Sequence, residues 1–349
     1  MYRIFAILCG NDLLLKNTTI IDIAKKLKIS ASTVSRALND HPDIKKETKD
    51  LVKNTAKKLN YFPNPIARSL KNKRSNVIGV IVPEIKHDFF SSAISGIEEV
   101  AYHSGYIILV CQSNESYERE VVNTNALMQQ RVAGLIVSIS QNTRNGDHFK
   151  QLINTGTPLV FFDRACSDIS ANKVIIDDIK SAFNAVSYLI ETGHKKIAHF
   201  SGPKVLEICE QRLKGYKNAL KKANIPFDNK LIRFGGLHES DGYNSMDALL
   251  KENITPDSIF AVNDPVAIGA FQRIKEAGLK IPEDIAIVGF SNNKITSLVE
   301  PSITTVDQPS FEMGKKAAEI LIEMIENEET MKTKKTIVLK TKLIIRNSA

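Results

Sequence analysis

Thr19-Ile20-Ile21-Asp22-Ile23-Ala24, followed closely by Ile29-Ser30-Ala31-Ser32-Thr33-Val34-Ser35-Arg36-Ala37-Leu38-Asn39, has the pattern of two short helices joined by a tight turn. Thr19 with Asp22 makes a capping start, and Ile20, Ile23, Ala24 and Leu27 fall on one helical face. Lys28-Ile29 reads as the turn. Ser30 can cap a second helix, in which Ala31, Val34, Ala37 and Leu38 take the inward positions. A third helix is expected from about Lys46 to Leu59, with Leu51, Val52, Thr55, Ala56 and Leu59 inward. Tyr61-Phe62-Pro63-Asn64-Pro65 then breaks the pattern. Asn64 is a good cap and Pro65 a good first residue for one or two further turns over Ile66–Lys71. Such a short helix is marginal alone. Residues 71–76 form a polar connector.

Charge singles out the same segment. Residues 17–76 hold 14 Lys/Arg against 5 Asp/Glu, a balance of +9, whereas residues 77–349 hold 31 against 33, a balance of −2. A basic excess confined to one small helical unit is the footprint of phosphate binding, not of a generally basic enzyme. A short helix held over a tight turn can enter a major groove. Ala31 and Ser32 are small or polar at its N-terminus, and Arg36, one turn on, can grip guanine O6 and N7. Thr33, Ser35 and Asn39 carry short groups suited to phosphate, and Lys45, Lys46, Lys49 and Lys53 add positive charge nearby. Taken alone, such a helix pair is equally well a small bundle with solvated lysines.

From Val77 onward the texture changes. Apolar runs at Val77–Val82, Tyr106–Cys111, Gly134–Ile139, Leu159–Phe162, Val174–Ile176, Ile197–Phe200, Leu231–Phe234, Ile259–Val262 and Ala286–Phe290 alternate with amphipathic helical patterns such as Phe89–His103, Tyr117–Gln130, Ile179–Glu191, Arg212–Ala223, Gly242–Lys251 and Pro265–Ala277. Continuous Val/Ile strands between helices argue for parallel sheets covered on both faces, and this many strands argue for two lobes. The chain is too long, at 349 residues, for one compact core.

The stretch Val34-Ser35-Arg36-Ala37-Leu38-Asn39, with Asn60-Tyr61-Phe62-Pro63-Asn64-Pro65-Ile66-Ala67-Arg68-Ser69-Leu70-Lys71, closely resembles the DNA-binding head of the lactose/galactose-repressor (LacI/GalR) family. Later landmarks continue the resemblance to about residue 346: Ile78–Pro83, Thr192-Gly193-His194, Gly202-Pro203, Arg212–Tyr216, Asn263-Asp264, Gly278–Pro282, Val288-Gly289-Phe290 and Thr304–Pro309. It implies a small all-α helix-turn-helix head plus an α/β two-lobe, periplasmic-binding-protein-like (type I) sensor with parallel sheets. The implied division is a disordered extension at 1–18, a DNA-binding domain at 19–63, a hinge and linker at 64–76, and an effector-binding and dimerisation domain at 77–349. Lobe 1 takes about 77–178 and 308–337, and lobe 2 about 179–307 and 338–349.

The resemblance also implies roles. DNA contacts fall to Thr19, Ser30, Ala31, Ser32, Thr33, Ser35, Arg36, Asn39, Tyr61, Asn64, Ala67, Arg68, Leu70 and Lys71. Leu70 matches the leucine that wedges into the minor groove when two hinge helices meet on operator DNA. Ligands of the sensor fold bind between lobes, at the carboxyl ends of strands. Position by position, this gives Phe89, Phe90, Asp163, Arg164, Arg212, Asn263, Asp264 and Ser291 as effector contacts. The phenylalanines can equally be core, and Asp264 can simply cap the helix starting at Pro265. Two departures from the family pattern stand out. Ser291 stands where many members carry Asp, and Val205, Leu206 and Ile208 stand where purine-sensing members are polar. A sugar or sugar acid is therefore the expected effector.

The expected protein is a cytoplasmic, homodimeric regulator, in this family usually a repressor, of carbohydrate-utilisation genes. Its partners are double-stranded operator DNA and a small effector, with no membrane partner. The apolar residues before Asn17 are too few and too broken for a convincing signal peptide or membrane span. Cys9, Cys111, Cys166 and Cys209 lack metal or disulfide spacing, and Cys111 reads as core. No cofactor or metal is expected, and His87-Asp88 reads as an isolated loop pair. Walker, GxGxxG, GxSxG and HExxH motifs are absent, against an enzyme. No heptad tail is seen, which favours a dimer over a tetramer. Two other readings stay open: an exported sugar-binding protein with no DNA role, and a sugar- or nucleoside-processing enzyme on the same two-lobe fold.

Overall fold

A computed structural model describes residues 18–61 and 75–349. The chain divides into two compact units, at Met1–Ser75 and Asn76–Ala349.

In the first unit, α1 (Ile20–Leu27), α2 (Ala31–Leu38) and α3 (Lys46–Lys58) close around Ile23, Ala24, Val34, Ala37, Val52 and Ala56. Thr19 and Asp22 form the capping box of α1, and Lys28 ends it in the left-handed region at φ 55°. Ser30 then caps α2 by accepting the Thr33 N–H. Each polar start thus satisfies a helix end that would otherwise leave N–H groups unpaired. Two inward assignments are corrected: Ala31 is exposed, and Leu51 is 54% exposed. The small core is already filled by residues one turn away on each helix, so α3 turns a narrower stripe inward than its apolar pattern suggests.

The second unit holds two sheets. The first runs in the order β11-β5-β4-β3-β1-β2, from β1 (Val77–Val82), β2 (Ile107–Gln112), β3 (Gly134–Val137), β4 (Leu159–Phe162), β5 (Asn172–Ile176) and β11 (Thr336–Leu339). All its pairings are parallel. The second runs β12-β10-β9-β8-β6-β7, from β6 (Ile197–Ser201), β7 (Ile232–Phe234), β8 (Ser258–Ala261), β9 (Ala286–Ser291), β10 (Thr304–Asp307) and β12 (Lys342–Ile344). Only β12 is antiparallel, on β10. Because β11 belongs to the first sheet as far as Leu339, the last crossing between lobes comes later than the expected 337.

Helices cover both sheets: α4 (Asp88–His103), α5 (Tyr117–Gln129), α6 (Asp147–Asn154), α7 (Asp178–Glu191), α8 (Glu207–Lys222), α9 (Glu239–Lys251), α10 (Asp264–Glu276) and α11 (Ser310–Glu326). The central strands are buried on both faces, as an enclosed parallel sheet requires. Helices α4 and α11 approach so closely that a Cβ at Gly96 would meet the Phe311 carbonyl, and one at Gly314 the Ala93 carbonyl. Cys111 is only half-buried on β2, an edge strand, rather than core. No helix among the described residues is long and apolar enough to cross a membrane.

Candidate functional site

Two surfaces carry the chemistry. In the head, α2 presents Ala31, Ser32, Arg36 and Asn39 as exposed, while Thr33 and Ser35 are half-buried. The Ser30 hydroxyl lies 2.7 Å from Ser32 Oγ and 2.8 Å from Thr33 Oγ1, a hydroxyl chain across the helix N-terminus. Asn39 donates to the Ser35 carbonyl at 2.7 Å. Thr19 spends its hydroxyl on Asp22 at 2.7 Å, so only its edge remains for a contact. Tyr61 is half-buried against the head core, where burial pushes its hydroxyl pKa up. The lysines are not equivalent. Lys53 grips both Asp40 oxygens at 2.7 and 2.9 Å, and Lys49 bonds the Asp40 carbonyl at 3.0 Å, so part of the charge expected near α2 is already neutralised. Asn64, Ala67, Arg68, Leu70 and Lys71 lie outside the described residues, as do the hinge they would form and the extension before Thr18.

In the second unit, residues following strand ends converge on a cleft between the sheets. Phe89, Phe90, Asp163, Arg164, Arg212, Asn263 and Ser291 line its inner part, together with Glu115, Asn293 and Gln308. An outer cavity of about 260 Å³ continues from it past Asp163, Arg164 and Ile208, near the lower end of small-ligand sites. Strand ends of both sheets supply it, as crossover topology dictates: Glu115 after β2, Asp163 and Arg164 after β4, Asn263 after β8, Asn293 after β9 and Gln308 after β10.

The cleft floor is built from buried ion pairs. Arg164 donates to Glu115 Oε1 and Oε2 at 2.9 and 3.1 Å, and its Nε stands 3.6 Å from Asp163 Oδ2. Burial raises the Asp163 pKa, opposed by the charges of Arg164 and Arg212. Arg212 donates to Asp178 Oδ1 at 2.7 Å and to the Val262 carbonyl at 2.6 Å, with its guanidinium 3.7 Å from the Phe290 ring centroid. It sits in the middle of α8, not at a helix start as its sequence context suggested. Burial pushes the Asp178 carboxyl up to about 6 against the pull of Arg212. Phe89 and Phe90 are both lining and core: they are 8% and 4% exposed, and meet edge to face at 5.1 Å.

Asp264 departs from the expected effector contact. It is wholly buried and does not line the cleft; its oxygens accept the Thr305 hydroxyl and the Asn293 N–H, both at 2.6 Å. Desolvation raises its carboxyl to about 6. The residue braces β9 against β10 and positions the loop carrying Asn293. Nor is it the helix cap: Asn263 takes that role, accepting the Val266 N–H at 3.0 Å while donating to the Leu237 carbonyl at 2.9 Å. Ser291 keeps its place in the cleft, with its hydroxyl on Gln308 Oε1 at 2.9 Å and a backbone φ of 120° that side-chain-bearing residues seldom adopt. Buried Asn293 Oδ1 and Arg164 Nε have no hydrogen-bond partner among the described residues. Sequence reasoning missed Glu115, Asn293 and Gln308, although each follows a strand at its carboxyl end.

Residues 19–64 match the model for bacterial regulatory proteins of the lacI family, and residues 186–349 that for a periplasmic binding protein-like domain. The HTH-type transcriptional repressor CytR of Escherichia coli (strain K12) is 33% identical over 310 residues, 89% of this chain and 90% of the relative. The chain belongs to the LacI family. A Lac repressor dimer bound to operator and the anti-inducer ONPF superposes with a TM-score of 0.84 at 26% identity, covering 95% of this chain and 99% of that one. A complex of the transcriptional regulator CelR with cellobiose gives 0.72 at 27% identity, covering 95% and 100%. This LacI-family chain is a helix-turn-helix transcription regulator with a two-lobe α/β sensor, not an enzyme.

Proposed function

We propose that this chain is a cytoplasmic, homodimeric repressor of carbohydrate-utilisation genes, released or engaged by a sugar or sugar acid held between the sensor lobes. The observation that carries the effector class is the cleft lining. Aromatic faces from Phe89 and Phe90 lie beside Asp163, Arg164, Arg212, Asn263 and Ser291, a mixture of apolar plane and hydrogen-bonding groups suited to a polyhydroxylated ring. Val205, Leu206 and Ile208 put apolar carbon on the outer cavity, which disfavours a purine needing polar partners there. The neighbouring structures with cellobiose and with ONPF support the same class.

On DNA, Ala31, Ser32 and Arg36 read the major groove, and Thr19, Ser30, Thr33, Ser35, Asn39 and Tyr61 hold phosphate or sugar. Asn64, Ala67, Arg68 and Lys71 follow the backbone into the minor groove, and Leu70 wedges between base pairs. Effector binding shifts the balance between lobe arrangements, and a coupling of ~1–3 kcal/mol changes operator affinity ~5–150-fold. The test is selection of bound DNA sequences, repeated with a panel of sugars, sugar acids and nucleosides. A palindromic site whose occupancy responds to a sugar or sugar acid is expected. Response to nucleosides alone would reject the effector class; no sequence preference at all would reject the assigned DNA contacts.

A further inference from the structure

Outside the ion pairs of the cleft floor, three metal-ligating side chains meet at its rim. Glu84 follows β1 and His87 precedes α4, both in the first lobe; His238 precedes α9, in the second. Glu84 Oε2 stands 2.6 Å from His87 Nε2 and 3.7 Å from His238 Nδ1, and the three ligand atoms lie within 4.8 Å of one another. The two imidazoles are stacked, with centroids 5.9 Å apart and planes 18° from parallel, so both turn a nitrogen to one carboxylate. Glu84 is 6% exposed, and its Oε2 and His238 Nδ1 are buried without a well-aligned hydrogen bond among the described residues, the Asp241 N–H at the start of α9 only facing the His238 ring. The neighbouring Lys86 ammonium reaches within 3.6 Å of Glu84, but that side chain is 67% exposed and free to swing into water.

Buried polar atoms that converge without hydrogen bonding one another call for a shared partner. A proton on one imidazole would serve a single pair; a cation serves all three donors at once. Tetrahedral zinc with nitrogen and oxygen ligands at about 2.0–2.2 Å sets those ligands about 3.3 Å apart. The two measured separations bracket that value.

We propose that Glu84, His87 and His238 bind a divalent transition-metal ion of the zinc class, which ties the two sensor lobes together at the rim of the effector cleft. Two imidazoles and one carboxylate are a three-ligand set that leaves a fourth position open to water or to an oxygen of the effector. His87 also lines the inner cleft, so the ion sits beside the bound ligand. A second cross-lobe contact flanks it, the Lys294 N–H on Asp88 Oδ2 at 2.9 Å. Binding across two lobes favours the arrangement in which all three ligands meet, and by reciprocity the effector and the ion each change the other's affinity by the same factor. The site depends neither on the DNA contacts nor on the identity of the effector.

The test uses the full chain, stripped with a chelator and titrated with Zn²⁺ against a chromophoric competitor, and with Co²⁺ as a visible probe. One equivalent per chain, intense tetrahedral Co²⁺ bands and a metal-dependent rise in thermal midpoint are expected. His87→Ala and His238→Ala should each weaken Zn²⁺ binding at least 10–100-fold, the loss that even an outer-sphere partner can cause. His194→Ala, on another surface, should bind as the parent does. If either variant fails to fold, carbethoxylation of the unaltered protein decides: Zn²⁺ should shield His87 and His238 and leave His194 reactive. Absence of stoichiometric binding, binding unchanged in both variants, or shielding of other histidines would each overturn the proposal.

Discussion

Arg164 holds both oxygens of Glu115 through one guanidinium nitrogen, and the same carboxylate accepts the Gln141 N–H at 2.6 Å. One buried side chain thereby ties the loops after β2, β3 and β4 into a single cleft wall. Removing one member of a buried, hydrogen-bonded pair leaves the other charge without compensation, at a cost of about 3–5 kcal/mol. Glu115→Gln should lower the unfolding free energy of the sensor by an amount of that order, seen in urea titration as a lower midpoint. An unchanged midpoint would show that the wall does not depend on this carboxylate.

Arg36 is exposed on α2 and takes no part in the head core. Arg36→Ala should leave the thermal stability of the head intact while costing about 1–3 kcal/mol of operator affinity, with relaxed preference at one base pair per half-site. Uniform weakening across all sequences would reassign the side chain to phosphate.

Ser30 behaves in the opposite way, because its hydroxyl accepts the Thr33 N–H at 3.0 Å and starts α2. Ser30→Ala should destabilise the head by about 1 kcal/mol even without DNA, a loss readable by thermal denaturation.

His199 supplies a pH prediction. It is fully buried between Tyr216 and Phe260, with Nδ1–H donating to the Phe260 carbonyl at 2.9 Å and Nε2 left without a partner among the described residues. Burial depresses its pKa from 6.5 to about 4. The unfolded chain then binds the proton first, so this group withdraws stability as pH falls from about 6.5 to about 4. The raised carboxyls of Asp178 and Asp264, at about 6, act in the other direction: between 3.8 and 6 the folded state takes up their protons first. Comparison with His199→Gln cancels them. Between pH 7 and pH 4 the parent should lose about 2–3 kcal/mol more than the variant, measured by denaturant titration at each pH. Parallel curves would mean that the ring takes up its proton at the same pH in the fold as in the unfolded chain.

Gly314 faces the Ala93 carbonyl across the contact between α4 and α11. A Cβ there has no room beside a backbone oxygen, and the helices must part. Gly314→Ala should cost about 1–3 kcal/mol, and Gly96→Ala, facing Phe311, a similar amount. Stability equal to the parent would mean that these helices slide freely.

The parts legible in the sequence are those governed by local rules. Thr19 and Ser30 sit where helix ends need side-chain acceptors, and both do that work. The runs that became β1 to β9 were readable because they are short and apolar, the central ones through being covered on both faces. Strands β10, β11 and β12 escaped the pattern: three of the four residues of Thr304–Asp307 are polar, while Thr336–Leu339 and Lys342–Ile344 are short edge strands in which no residue is fully buried. Of the cleft residues, Phe89, Phe90, Asp163, Arg164, Arg212, Asn263 and Ser291 were anticipated through family resemblance. Asp264 was misjudged, since nothing local distinguishes a carboxylate aimed at a ligand from one aimed at Thr305. Glu115, Asn293, Gln308, Glu84 and His238 were not singled out, and His87 read only as part of an isolated loop pair. Their meeting depends on strands from separate sheets being brought to one line.

The first sheet has a further consequence, in time rather than in space. Its edge strand β11 pairs with β5 across a long sequence separation, and α11 packs on α4, so this lobe lacks an edge and a covering helix until the chain has been made past Leu339. Among the described residues, the head core is complete by Tyr61. At ~5–20 residues per second, the ribosome delivers a foldable head roughly 15–60 s before a foldable sensor. In every new molecule the recognition helix can therefore take its shape before the sensor that would govern it is complete.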